Sequence, residues 1–157
     1  MKYLPLIFLL GCSGTITPLY ETTATKFTPE PGIEAYTRKA LARWVGASGL
    51  NLGISNNGVQ IITQADWVIV NGKDNCGRFD YENSKIILST KQEKCSYWSF
   101  ESLLLHEIGH SITTVAMHSE TGIMAPGGQA ENRECIDESS LTLICSGADC
   151  SVFEPEC

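Results

Sequence analysis

The sequence predicts an α+β domain, and three observations carry that expectation. Residues 31–46 have a helical apolar spacing, residues 50–89 hold a succession of short β candidates, and residues 96–112 form an apolar helix. The chain has 157 residues, enough for one domain with a real core. Hydrophobic residues make up 43% and charged residues 18%, which favours a folded rather than a disordered chain. A net charge of −7 argues against nucleic acid as a partner. No stretch approaches the roughly 20 apolar residues needed to span a bilayer.

The first residues, MKYLPLIFLLGCSG, combine Lys2, an apolar run from Leu4 to Leu10, and Gly11 just before Cys12. That order of charge, apolar core and small exit residue is a secretory signal. Its Leu9-Leu10-Gly11-Cys12 ending resembles a bacterial lipobox. The expectation is therefore a signal peptide over residues 1–11, lipidation at Cys12, and an exported lipoprotein held to a membrane of the cell envelope. Ser13 is compatible with the outer membrane under a sorting rule that holds in one group of bacteria. Residues 12–30 are Thr/Pro-rich without apolar period and read as a flexible tether, leaving residues 31–157 for the domain.

Within that domain Ile33, Tyr36, Ala40, Leu41, Trp44 and Val45 mark the first helix, with Pro31 at its start and Gly46 and Gly49 at its stop. LNLGIS and VQIITQ are β candidates separated by the tight-turn signal Asn56-Asn57-Gly58. ADWVIVNG reads as a buried strand, followed by turn signals through Asn71-Gly72 and Asp74-Asn75. RFDYENSKIILS, residues 78–89, reads as a β pair or a strand bent at Glu82-Asn83-Ser84. SYWSFESLLLHEIGHSI then reads as a helix capped by Ser96 or Ser99. Leu103, Leu104, Leu105, Ile108 and Ile112 wrap more than one of its faces, which places it in the interior.

Apart from Cys12, six cysteines remain: Cys76, Cys95, Cys135, Cys145, Cys150 and Cys157. An even set in an exported chain points to up to three disulfides, with connectivity open. Four of the six follow residue 134, so the C-terminal tail is expected to be stapled down. The absence of any CxxC pair argues against a zinc knuckle or a thioredoxin-type site.

The chemistry concentrates in His106-Glu107-Ile108-Gly109-His110. Residues i and i+4 share one helical face, so both imidazoles can point at one ion at about 2.0–2.1 Å. Glu107, one position round, lies beside the metal, where it can take a proton from zinc-bound water and pass it to a leaving amine. Zn2+ is the cofactor this pattern implies. A third ligand is needed, with a fourth position left open.

HEIGHS, the later His118-Ser119, and Gly122-Ile123-Met124-Ala125-Pro126 together resemble the metzincin zinc metalloproteases of the matrixin-like branch. Their pattern is HExxHxxGxxH followed by a Met-turn. The resemblance covers most of residues 31–126 and none of the tail after Glu131. It implies a small zincin-like domain, a twisted mixed sheet packed on an N-terminal helix and a central active-site helix. It also implies metal ligands His106, His110 and His118, the general base Glu107, and Met124 as a hydrophobic base beneath the metal. The implied activity is a zinc-dependent endopeptidase, acting outside the cytoplasm on an extended protein or peptide segment laid along an edge strand near Ile86-Ile87-Leu88.

One departure stands out. Thr113 and Ala116 occupy the places of the family's glycine and third histidine, and His118 follows His110 by eight residues. On a continuous helix that is about 12 Å of rise and a rotation of roughly 80°, so the helix must end and the chain must turn back. Ile112-Thr113-Thr114-Val115 is β-branched throughout and favours such a break. Other candidates for the third ligand are Glu120, or Glu131 or Glu134 in a gluzincin-like arrangement. Competing functions are a non-catalytic envelope lipoprotein whose zinc stabilises the fold, and a hydrolase of cell-wall peptide cross-links.

Overall fold

The computed structural model describes residues 25–91, 95, 99–113, 117–127 and 134–157. Along them run β1 (Lys26–Pro29), α1 (Glu34–Ser48), β2 (Gly53–Ile54), β3 (Val59–Gln64), β4 (Val68–Val70), β5 (Lys73–Asn75), β6 (Gly77–Asp80), β7 (Lys85–Ser89), α2 (Phe100–Ile112) and α3 (Glu138–Gly147). The class is α+β. A mixed five-stranded sheet has the order β2-β1-β3-β7-β6, and β4 and β5 make a separate pair. β2, β1, β3 and β7 run parallel, and only β6 is antiparallel to its neighbour.

The tether expected over residues 12–30 is shorter than its composition suggested. β1 lies between β2 and β3 with Phe27 fully buried, so the domain begins by Lys26. Pro29 closes the strand at its C-terminal end, where a proline is tolerated, and so hides it from a composition-based reading. The signal segment, Cys12 and the tether up to residue 24 lie outside the described residues.

The Asn56-Asn57-Gly58 turn does not close a hairpin. β2 and β3 flank β1 on opposite sides, and the connection crosses its start. The Ser55 amide donates to the Phe27 carbonyl (2.8 Å) and the Gly58 amide to Thr28 Oγ1 (2.9 Å). A β-carbon on Gly58 would overlap the Lys26 carbonyl, so only glycine passes there.

Two further strand expectations change. In the ADWVIVNG run only β4 is a strand. Val68 is buried but Ile69 is 53% exposed, because β4 pairs solely with β5 and has one covered face. Their turn places Asn71 at φ 50° and Gly72 at φ 74°, the paired positive angles of a tight hairpin. Residues 78–89 do form a β pair, but β7 is interior, between β3 and β6. Among the described residues the edge on this side of the sheet is β6, so the edge strand expected near Ile86-Ile87-Leu88 is displaced by one strand to Gly77–Asp80.

α1 starts three residues later than Pro31, runs through Gly46, and ends at Gly49, whose φ of 69° and amide bond to Val45 close the helix. Its buried Trp44 donates its indole N–H to the Leu105 carbonyl of α2 (3.0 Å). α2 is capped by Ser99, whose hydroxyl accepts from the Ser102 amide, and every residue from Ser102 to Ile112 is buried. The interior position expected from its all-round apolarity holds.

The tail carries a helix that the sequence reading did not anticipate. Asp137 caps α3, and Leu141 and Ile144 join the common core. Disulfides pair Cys76–Cys95, Cys135–Cys157 and Cys145–Cys150. The final residues run back along α1, with the Val152 and Glu154 amides donating to Ser48 and Ala47, and Arg43 paired with Glu156. Three disulfides fit an oxidising compartment. No helix among the described residues is long and apolar enough to cross a membrane.

Candidate metal centre

His106 and His110 project from one face of α2, and His118 meets them from the returning chain. His110 Nε2 lies 3.0 Å from His106 Nε2 and 3.3 Å from His118 Nε2. Nitrogens held at about 2.0–2.1 Å from a tetrahedral ion would be separated by roughly 3.3–3.4 Å. The three ligand atoms all fall within 4.8 Å of one another and could hold a metal ion. Neither Glu120 nor Glu134 joins this group among the described residues, and Glu131 lies outside them.

The break after α2 makes the meeting possible. Thr113 leaves the helix in an extended conformation (φ −83°, ψ 151°), so no left-handed glycine is required. Beyond it, the Ser119 amide donates to the Met124 carbonyl (3.0 Å) and Ser119 Oγ to the Thr121 carbonyl (2.6 Å). These bonds hold the segment carrying His118 against the 122–126 turn.

That turn also orients a ligand. His106 donates Nδ1–H to the Ile123 carbonyl (2.6 Å), which leaves Nε2 as the lone-pair nitrogen aimed at its partners. Burial lowers the His106 pKa to about 4, against the opposing Ile123 bond, and that of His110 to about 2, assisted by the neighbouring imidazoles. Burial lowers His118 as well. All three are therefore neutral near pH 7, the form that binds metal. Three imidazoles suit a borderline divalent cation.

Met124 is fully buried and packs directly on Gly109 of α2. The turn is anchored from α3. Asp137 accepts from Thr121 Oγ1 (2.5 Å) and the Ser140 amide (2.9 Å), and Ser140 Oγ accepts from the Met124 amide (3.1 Å). Gly122, at φ 71°, leaves room for the Asp137 carboxylate.

Glu107 is 4% exposed and lies against the edge strand β6. Burial pushes its pKa up to about 8, opposed by a hydrogen bond from the Phe79 backbone amide. A β-carbon on Gly77 would stand 3.0 Å from Glu107 Oε1, so Gly77 leaves the carboxylate its place. Glu107 Oε2 is buried with no partner among the described residues, and Glu107 lines a cleft of ≈ 650 Å³ together with the three histidines.

The structure thus brings together every candidate on α2 with His118 and Met124. Gly77, Gly109 and the Asp137–Ser140 anchor escaped the sequence reading. Gly109 did leave a signal, since a glycine inside a helix costs about 1 kcal/mol and implies a close neighbour.

A scan against protein-family models finds none that matches this chain, and a search of curated proteins finds no match either.

Proposed function

We propose that this chain is a zinc-dependent endopeptidase. The observation that carries the reading is the convergence of three neutral imidazoles with a buried carboxylate that lines the same cleft and has one unpartnered oxygen among the described residues. A closed structural zinc site has no use for such a base.

His106, His110 and His118 would hold the ion. Zinc bound there would polarise a substrate carbonyl and acidify water. Glu107 accepts the proton of the attacking water and returns it to the leaving amine. Its raised pKa in a buried setting makes it ready to carry that proton, and a cation alongside brings it back toward neutrality.

An extended peptide would lie along β6, a sheet edge among the described residues that packs on Glu107. Strand addition would supply backbone hydrogen bonds. The β4–β5 hairpin overhangs the cleft through Trp67, Val70 and Asn75 and would form its far wall.

Export as a lipoprotein anchored through Cys12 belongs to the same proposal, and the three disulfides support the export. Mass spectrometry of the N-terminal peptide tests the anchor.

The decisive experiment compares the full chain with Glu107→Gln on a library of quenched-fluorescent peptides. The variant is expected to keep one zinc per chain and lose hydrolysis by roughly 10³-fold or more. Undiminished cleavage by a zinc-loaded variant would sink the mechanism.

A further inference from the structure

Tyr81 follows directly on the edge strand β6 and lines the cleft shared by the histidines and Glu107. Its ring packs edge-on against Phe79 (centroids 4.6 Å apart, planes at 66°), whose amide serves Glu107. Its hydroxyl is buried yet has no hydrogen-bond partner among the described residues. A buried unpaired hydroxyl costs about 1–3 kcal/mol, and such groups persist where a ligand supplies the missing partner. Glu107 Oε2, Arg78 Nε and His110 Nδ1 are likewise buried without a partner among the described residues, and their side chains line the same cleft.

Tyr81 and Glu107 complement one another in chemistry. An ionised carboxylate is only an acceptor, whereas a phenol offers a proton. Burial, with Glu107 nearby, raises the Tyr81 pKa to about 12, so the phenol keeps that proton across the working range. A peptide group entering the cleft offers a carbonyl oxygen that gains negative charge as water adds. The Phe79 amide of β6 is already given to Glu107. Of the other unpartnered donors on cleft-lining side chains, Arg78 Nε belongs to a cation paired with Asp80 and His110 Nδ1 to a candidate metal ligand, which leaves the Tyr81 phenol.

We propose that Tyr81 is a catalytic residue that donates its phenolic O–H to the scissile carbonyl oxygen as that oxygen becomes an oxyanion. The proton stays on the phenol throughout, so Glu107 alone carries the proton from water to amine. This assignment rests on the peptidase reading.

Tyr81→Phe tests it, because phenylalanine keeps the ring on Phe79 and removes only the donor. The full chain is assayed on a peptide that the wild type cleaves, with zinc content and thermal midpoint measured alongside. Loss of one oxyanion donor lowers kcat by roughly 10²–10³-fold, with KM nearly unchanged. Zinc content and midpoint should stay at wild-type values. A ring-fluorinated tyrosine at position 81 keeps ring and hydroxyl while acidifying the phenol, and its kcat should shift even if the phenylalanine variant folds poorly. An active wild type with unchanged kcat in both variants overturns the role of Tyr81 and leaves the peptidase reading standing. A zinc-loaded wild type that cleaves no peptide overturns both.

Discussion

The sulfur of Met124 fills the space that any side chain at Gly109 would need, since a β-carbon there would overlap Sδ and approach Trp44 Cζ2 to 3.1 Å. Gly109 lies between the two helical histidines, so this contact fixes how closely the 122–126 turn approaches the metal ligands. Gly109→Ala gains up to about 1 kcal/mol in helix propensity but overpacks the contact, for a net loss of about 1–3 kcal/mol. Met124→Ala should relieve it, making the double variant more stable than the two single losses add up to. Denaturant unfolding of the four proteins measures the coupling, and strict additivity would contradict the contact.

The third ligand is tested by zinc affinity. His118→Ala is expected to weaken binding by several orders of magnitude, whereas Glu120→Ala, Glu131→Ala and Glu134→Ala leave it within a few-fold. Competition with a chromophoric chelator gives the constants. A selective loss in Glu131→Ala would move the protein to a gluzincin-like ligand set.

Asp137 ties the cap of α3 to the 122–126 turn that orients His106. Burial alone would raise its pKa, but hydrogen bonds from Thr121 and Ser140 outweigh this and hold it below the ordinary carboxylate value. Asp137→Ala removes both bonds and should cost about 1–3 kcal/mol. It should also weaken zinc binding several-fold, because Ile123, which orients His106, sits in the loosened turn. Glu138→Ala, at an exposed neighbour, is the control. Equal zinc affinity in the two variants would confine Asp137 to fold stability.

Chelator-treated protein should be most stable near pH 6.5. Between about 4.5 and 6.5 the unfolded chain protonates His106 and His110, which stay neutral when folded, while folded Glu107 holds a proton that the unfolded chain has lost. The net difference is one proton in favour of the unfolded state, so stability falls with acid by about 1.4 kcal/mol per pH unit. His118, also lowered, adds in the same direction. From 6.5 to about 8 only Glu107 differs, and stability declines as pH rises through its folded pKa. Glu107→Gln should abolish the alkaline decline. Urea midpoints across this range supply the curve, and a Glu107→Gln profile that still declines toward pH 8 would rule out the assignment.

Local sequence determined the parts of this protein whose physics is local. Side chains four residues apart share a helical face, so His106 and His110 are paired by spacing alone. The apolarity of Leu103–Ile112 buries that helix, the Ser99 hydroxyl caps it, and Glu82-Asn83-Ser84 turns β6 into β7. Each of these depends on sterics and hydrogen bonds within a few residues.

Tertiary structure decided everything that depends on long-range closure. A four-residue strand ending in Pro29 becomes an interior strand only because β2 and β3 arrive on both sides of it. β7, which the family resemblance implied to be an edge, lies inside because β6 folds back beside it. Cysteine spacing allows many pairings, and packing of the tail on α1 selects one. Whether His118 meets the two helical histidines depended on an extended Thr113 and on bonds from Ser119 to Thr121 and Met124. The neighbours of Glu107, namely Gly77, Phe79 and Tyr81, stand 26 to 30 residues away along the chain, and only strand pairing brings them to the site.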